Sequence, residues 1–163
     1  MSAVLHICLV INPLAGLGGS LAMKGSDGDE VRRMVESLDP EQRTRALQRV
    51  ERALRPLKGA DNPVRFSCWT GDMGERALQE LGIPCQVLGH GTRDLTSASD
   101  TREAASALID AGVDVLVFAG GDGTARDIFD VVGTLMPVLG IPAGVKMHSG
   151  VFAVSPEAAG ELL

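Results

Sequence analysis

The sequence is poor in aromatic residues and has no excess of positive charge. Aromatic side chains make up 3% of the 163 residues, tyrosine is absent, and there is a single tryptophan. The formal net charge at pH 7 is −6. Nucleic-acid-binding domains usually present a basic surface, and those that bind single strands add aromatic rings on which bases stack. The composition therefore argues against nucleic acid as a partner.

Long apolar runs and paired cysteines are also missing. No apolar run approaches the roughly 18 residues of a membrane span, and the N-terminus lacks the basic residues of a signal peptide. The three cysteines, Cys8, Cys68 and Cys85, show no C-x-x-C spacing and lie in apolar runs. That arrangement is typical of reduced core thiols. We expect a cytoplasmic protein that does not bind a membrane.

What the chain does have is a repeated alternation of apolar strands and amphipathic helices. Its 45% apolar and 22% charged residues suit one compact domain. The first strand, Ala3 to Ile11, is almost entirely apolar, as expected where helices cover both faces of a parallel sheet. Further strands are predicted at 64–69, 84–88, 113–119 and 138–141, with another apolar run at 151–154. Helices are predicted near 31–38, from Asp39-Pro40, at 73–81, 101–111 and 125–136, and from Ser155. This order predicts an α/β fold, a doubly wound Rossmann-like parallel sheet.

The most informative segment is the glycine-rich turn after the fourth strand, Gly120-Gly121-Asp122-Gly123-Thr124. Glycine adopts backbone angles that other residues resist, and it lets main-chain N–H groups converge on an anion. The positive N-terminal end of the following helix would face the same anion. Asp122 is the one ionisable group in the turn. Strand, turn and helix together predict a phosphate site.

A second glycine-rich loop, Leu14 to Gly28, follows the first strand, and parallel strands bring both loops to the same sheet edge. The residues predicted to bind phosphate are Asn12, Gly16, Gly18, Gly120, Gly121, Gly123 and Thr124. Accessory residues are three cations beside glycine-rich turns and one histidine in a glycine-flanked loop: Lys24, Arg126, Lys146 and His148. The arginines of the helix after Pro40 alternate with Glu41 and Glu51, which favours a solvated face.

Two common phosphate motifs are incomplete. The dinucleotide motif G-x-G-x-x-G has Leu21 where the last glycine belongs, and the order Lys24-Gly25-Ser26 is not that of a P-loop. No zinc-binding spacing and no nucleophile elbow occur. The metal ligands, if there are any, are not readable from the sequence.

The glycine-rich segments do resemble a known family. Asn12-Pro13-Leu14-Ala15-Gly16, the Gly-Gly-Asp-Gly-Thr turn and Gly140-Ile141-Pro142-Ala143-Gly144 look like the N-terminal nucleotide-binding domain of the NAD kinase superfamily, which is related to phosphofructokinases. Four longer strings are similar to predicted ATP-NAD kinases of the acetoin-catabolism protein X type: NPLAGLGGSLAMKGSDG, GDMGERAL, FAGGDGTARD and GIPAGVKMHSGVFAVSP.

The resemblance implies a transferase of NADP biosynthesis. Such an enzyme moves a phosphoryl group from ATP, or from polyphosphate, to the 2′-OH of the NAD adenosine ribose. Asp122 would be the catalytic carboxylate, acting more by orienting the hydroxyl than by strong basicity. Mg²⁺ is the expected metal, because clustered phosphates need neutralising. The partner is thus a small nucleotide.

Two departures from the family leave alternatives open. Pro142 stands where NAD kinases usually have asparagine, which puts the acceptor in question. Residues 1–155 form the predicted nucleotide-binding domain, and 156–163 resemble the start of a linker helix to a β-rich domain that this chain lacks. We therefore expect the chain to be inactive toward NAD alone and to form a homo-oligomer through exposed apolar residues. The alternatives are a nucleotide-binding regulatory module without turnover, or a kinase of another small hydroxylated substrate or a lipid.

Overall fold

The computed structural model describes residues 4–16, 33, 35–59, 64–89, 96–144 and 147–163. Its sheet has five parallel strands, which are β1 (Leu5–Ile11), β2 (Val64–Trp69), β3 (Cys85–Leu88), β4 (Val115–Gly120) and β5 (Val138–Pro142). The longer helices in the described residues are α1 (Pro40–Leu54), α2 (Glu75–Leu81), α3 (Ala98–Asp110), α4 (Asp122–Val132) and α5 (Pro156–Leu162). Short 3₁₀ turns occupy Arg55–Leu57 and Gly71–Met73.

Helices cover both faces of the sheet, which confirms the doubly wound prediction. On one face, Leu9, Val117 and Ile141 pack in a core with residues of α1, α2 and α5. On the other face, Val10 and Phe118 pack in a second core with residues of α3 and α4. Successive strand residues point to opposite faces, so a strand covered on both sides must be apolar throughout. The continuous apolar run of β1 follows from that requirement.

The strand order creates a crevice in the middle of the sheet. The order is β3-β2-β1-β4-β5, so the chain moves outward from β1 to β3 and then returns to the other side of β1. β1 and β4 are neighbours, with Ile11 opposite Ala119. Their outgoing connections diverge, and ligands of such sheets bind outside the carboxyl ends of the strands at this point. The residues that directly follow Ile11 and Gly120 both lie there.

Some element boundaries differ from the sequence prediction. α3 begins at Ala98, earlier than predicted, because Ser97 caps it and its N–H donates to Asp100 Oδ2 (2.7 Å). The predicted cap of α5 is confirmed, since Ser155 Oγ accepts from Ala158 N–H (3.1 Å). The apolar run at 151–154 forms only an isolated bridge between Phe152 and Gly140. The loop at 17–28 and most of the predicted helix near 31–38 lie outside the described residues.

Candidate active site

The glycine-rich turn forms the junction between β4 and α4. β4 ends at Gly120, and α4 begins at Asp122, three residues earlier than predicted. Gly123 and Thr124 therefore belong to the first helical turn, whose N–H groups have no acceptor within the helix. The helix dipole adds positive potential at the same end. The geometry is that of an anion site, and the assignment of these residues to phosphate binding stays a prediction.

The reason for glycine in this turn differs from the expected one. None of Gly120, Gly121 and Gly123 has a positive φ; Gly121 has φ −116° and ψ −165°. Gly120 is instead required by close packing, because a Cβ there would lie 2.4 Å from Thr124 Oγ1. A Cβ on Gly144 would lie 2.6 Å from Gly121 Cα, whereas one on Gly123 would meet nothing within 4 Å. The expectation that these glycines need special backbone angles is wrong.

Asn12 joins the end of β1 to the start of α4. Its side-chain amide donates to Thr124 Oγ1 (3.0 Å), and its Oδ1 accepts from Leu14 N–H (3.0 Å). Its main-chain N–H donates to Ala119 O (2.9 Å). Thr124 is almost completely buried. The end of β1 and the first turn of α4 are thus joined by a polar bridge between Asn12 and Thr124.

The Asp122 carboxylate is held by two main-chain N–H groups from the segment after β5. His148 N–H donates to Oδ2 (2.8 Å), and Ser149 N–H donates to Oδ1 (3.1 Å). These hydrogen bonds lower the pKa of Asp122 below its usual value, and the bond from His148 N–H has the larger effect. A carboxylate held ionised in this way is a hydrogen-bond acceptor and a metal ligand, but a weak base at neutral pH.

The other predicted residues are distributed unevenly. Gly16 ends the described part of the first loop with φ +85°, and Arg126 lies exposed in α4 after Thr124. His148 contributes its main-chain N–H to Asp122. Gly18, Lys24 and Lys146 lie outside the described residues.

The sequence reasoning missed two parts of the site. The first is the main-chain N–H of Ser149, for which the His-Ser-Gly turn at 148–150 was the available signal. The second is Arg45 of α1, whose Nη1 approaches Gly16 O at 3.4 Å. Charge alternation along α1 gives no sign that one of its arginines approaches the crevice.

A cavity of about 500 Å³ opens beside Asp122, a size typical of small-molecule sites. Asp122, Arg126 and Ser149 contribute its polar groups. The remaining lining residues are mostly apolar: Phe118, Ala125, Ile128, Phe129, Val132, Gly133, Met136, Val138 and Val151. One charged group of each sign therefore accompanies mostly apolar residues.

Among the described residues, no group of three or more His, Cys, Asp or Glu side chains could hold a metal ion by itself. Asp122 is the carboxylate at the crevice, and each of its oxygens has further lone-pair capacity beyond its one main-chain hydrogen bond. A metal ion that is bound largely by substrate phosphates fits this donor set, as Mg²⁺ commonly is. In the part of the chain that is described, no helix is long and apolar enough to span a membrane.

Comparison with known families agrees with this geometry. The sequence pattern of the ATP-NAD kinase N-terminal domain matches residues 7–163. The chain belongs to this family. The match spans both glycine-rich loops, β1 from Ile7 onward and the other four strands, which supports a kinase-type nucleotide-binding function. None of the curated proteins compared with the chain matches it.

Similar solved structures include the UDP-GlcNAc 2-epimerase of Neisseria meningitidis bound to UDP-GlcNAc, at 11% identity and a TM-score of 0.43. A second UDP-N-acetylglucosamine 2-epimerase has 11% identity and a TM-score of 0.45. The matches cover 83% and 99% of this chain but 31% and 39% of those proteins, so this chain spans less than half of either length. A Vibrio parahaemolyticus protein of unknown function has 11% identity and a TM-score of 0.36, with 87% of this chain and 85% of that one covered. Similarities at this level support no conclusion about activity.

Proposed function

We propose that this protein is a kinase that transfers a phosphoryl group from ATP, or from polyphosphate, to the 2′-OH of the adenosine ribose of NAD. The observation that carries the proposal is the position of Asp122. It is an ionised carboxylate at the N-terminus of α4, beside main-chain amides that suit phosphates, and it lines the cavity together with Ser149 from the segment after β5. Membership of the ATP-NAD kinase family supports the same reaction class.

Phosphoryl transfer passes through a loose transition state, so positioning and charge stabilisation matter more than a strong base. In this proposal the first-turn amides of α4, at Gly123 and Thr124, bind phosphate oxygens of the donor. Asn12 keeps the opposite wall in place through its bond to Thr124. Asp122 accepts a hydrogen bond from the acceptor hydroxyl and orients it toward the phosphorus atom. Asp122 and the donor phosphates would hold Mg²⁺, which neutralises phosphate charge when bound.

The cavity beside Asp122 supports a small organic acceptor. Its apolar lining suits a flat or hydrophobic group, and Arg126 at its polar part suits an anion. A nucleotide combines both features with a ribose hydroxyl between them. A cytoplasmic location accords with such a substrate and stays a prediction, as does an active unit that contains a further β-rich domain.

The test is an assay of NADP formation from NAD, with ATP and polyphosphate as alternative donors. It should be run on this chain and, where its gene encodes a longer chain, on that complete protein. We expect NADP formation by the complete protein with at least one donor and in the presence of Mg²⁺. Failure of the complete protein to phosphorylate NAD with either donor would remove NAD as the acceptor.

A nucleotide-binding module without turnover is the second candidate, and Pro142 favours it. Pro142 pairs with Gly120 at the end of β5, directly beside the glycine-rich turn. Proline has neither an N–H nor a polar side chain, so the asparagine contact usual in the family cannot form there. Tight Mg·ATP binding by the complete protein, without transfer to NAD or to other hydroxyl compounds, would select this candidate.

A further inference from the structure

Arg45 is the basic residue of α1 whose side chain reaches the turn after β1. Its Nη1 lies 3.4 Å from Gly16 O. A Cβ built on Gly16 would lie 2.9 Å from Arg45 Cδ and 2.6 Å from Ala143 O. Arg45 therefore lies against Gly16, which in turn approaches the main chain that leaves β5.

Hydrogen bonds connect the main chain that leaves β5 to the glycine-rich turn. Ala143 N–H donates to Gly120 O (3.0 Å), and so does Gly144 N–H (3.1 Å). α1 covers one face of the sheet and α4 covers the other. Arg45 thus approaches the crevice from the face of the sheet that α1 covers. Arg126 lies on the other face, in α4.

Other arginines of α1 have better partners than Arg45 does. Arg52 forms an ion pair with Glu157 (2.6 Å), and Arg43 donates to the main-chain oxygens of Glu36 and Leu38. Among the described residues, Arg45 makes one long hydrogen bond, to a neutral carbonyl, and no carboxylate there pairs with it. Its side chain is exposed. Arg45 is thus an exposed cation close to the crevice.

We propose that Arg45 binds the phosphate chain of the nucleotide, at the wall of the crevice opposite to the first turn of α4. The inference rests on the proposed nucleotide site and adds a cation that the family resemblance did not indicate. A guanidinium group is always charged and matches phosphate oxygens in a two-pronged geometry. Exchange of one long bond to Gly16 O for charge-assisted bonds to phosphate is favourable. In a protein with a net charge of −6, a local cation also offsets repulsion of a polyanion.

The test compares two neutralising substitutions that change the net charge equally. Arg45→Gln removes the proposed contact, and Arg55→Gln removes an exposed arginine in the 3₁₀ turn beyond α1. Isothermal titration calorimetry measures the binding of Mg·ATP and of inorganic tripolyphosphate, which carries phosphates without a nucleoside. We expect Arg45→Gln to weaken both ligands about tenfold or more, as is typical for the loss of a charged hydrogen bond. Arg55→Gln should bind both as the wild type does.

A second measurement needs no substitution. In a nuclear magnetic resonance titration of the wild type with Mg·ATP, the side-chain Nε–H signal of Arg45 should shift, and that of Arg55 should not. Equal affinities of Arg45→Gln and Arg55→Gln, or an Arg45 signal that does not respond, would overturn the role of Arg45 while leaving the site in place. A wild type that binds neither ligand would instead remove the proposed function.

Discussion

The two ends of the sheet both carry polar residues, but they use them differently. At the amino end, His6 Nε2 lies 2.7 Å from Ser67 Oγ, and Arg65 Nη2 lies 3.0 Å from His6 Nδ1. Asp114 Oδ2 accepts from His6 N–H (2.8 Å). Because Arg65 can only donate, His6 Nδ1 must accept, and Nε2–H donates to Ser67. At the carboxyl end, Asp122 instead lies partly exposed at the crevice, beside helix amides without internal acceptors.

The comparison separates polar groups that complete a fold from polar groups that are available to a ligand. His6 and Ser67 are buried, and both ring nitrogens of His6 have hydrogen-bond partners, Ser67 and Arg65. No buried side-chain polar atom in the described ranges lacks a partner. At the crevice, by contrast, available hydrogen-bonding capacity remains on the carboxylate of Asp122 and the guanidinium of Arg126. A cluster of polar side chains indicates a site only where such capacity remains.

The largest expected effect comes from removing the charge at the crevice. In the complete protein, Asp122→Asn should lower phosphoryl transfer by about 10²- to 10⁴-fold, the range typical of a group that orients or accepts a proton. Asp130→Asn, at the exposed end of the same helix, is the matched control and should leave the rate unchanged. Steady-state NADP formation measures both. Because Asp122 also accepts two main-chain hydrogen bonds, we expect a small decrease in melting temperature, and full turnover in Asp122→Asn would end its catalytic assignment.

Two glycines of the same turn should respond in opposite ways to alanine. Gly120→Ala places a Cβ against the buried side chain of Thr124, which Asn12 holds, and should cost about 1–3 kcal/mol of unfolding free energy. Gly123→Ala adds a Cβ in open space within a helix and should stabilise by up to about 1 kcal/mol. Urea denaturation measures both. Equal stabilities of the two variants would contradict the packing explanation.

The buried histidine should make stability depend on pH. Burial first and the charge of Arg65 second lower the pKa of His6, while Asp114 opposes them. As pH falls below about 6.5, the unfolded chain gains a proton on His6 before the folded protein does. The free energy of unfolding should therefore be highest above that pH. It should decrease as the pH falls further, until the pH reaches the pKa of His6 in the folded protein. His6→Gln should reduce this dependence, as measured by urea unfolding at several pH values.

The amide bonds to Asp122 can be examined without any assay of activity. Carbon-13 titration of the Asp122 carboxyl should give a pKa below the usual value near 3.8. Ser149→Pro removes one donating N–H and should raise that pKa, whereas Ser149→Ala keeps the N–H and should not. The amide proton signals of His148 and Ser149 should follow the same titration in the wild type. A pKa in Ser149→Pro that equals the wild-type value would show that this N–H does not hold the carboxylate.

The smallest expected effect concerns self-association. Val154 and Leu162 are 96% and 71% exposed, and contiguous exposed apolar surface tends to be covered by association. We expect this chain to form a homo-oligomer at high concentration. Light scattering should give a mass above the 17.0 kDa of one chain, and the mass should fall toward that value in Val154→Asp. A wild type that remains monomeric at all concentrations would contradict the expectation.

Much of the fold could be predicted from local pattern. The bounds of β2 and the start of α1 at Pro40 agree with the prediction, because an apolar run and a Pro-acid helix start are local signals. The apolar run at 151–154 forms only an isolated bridge, and the ring of Phe152 packs on Phe118 (5.4 Å between centroids), so the apolar character of this run reflects side-chain packing. The start of α4 was also misplaced, since glycine is a poor helix former and conceals a first helical turn.

The sequence by itself determined the order of strands and helices along the chain, the family and the position of the glycine-rich turn. These features depend on residues that are neighbours along the chain. Only the tertiary structure decided which groups meet at the crevice. Asn12 meets Thr124, His148 and Ser149 hold Asp122, and Arg45 reaches Gly16 across long sequence separations. Such contacts depend on the order of the strands within the sheet and on the face of the sheet that each helix covers. Periodicity records only that a residue is buried or exposed, and it does not record which distant residue lies beside it.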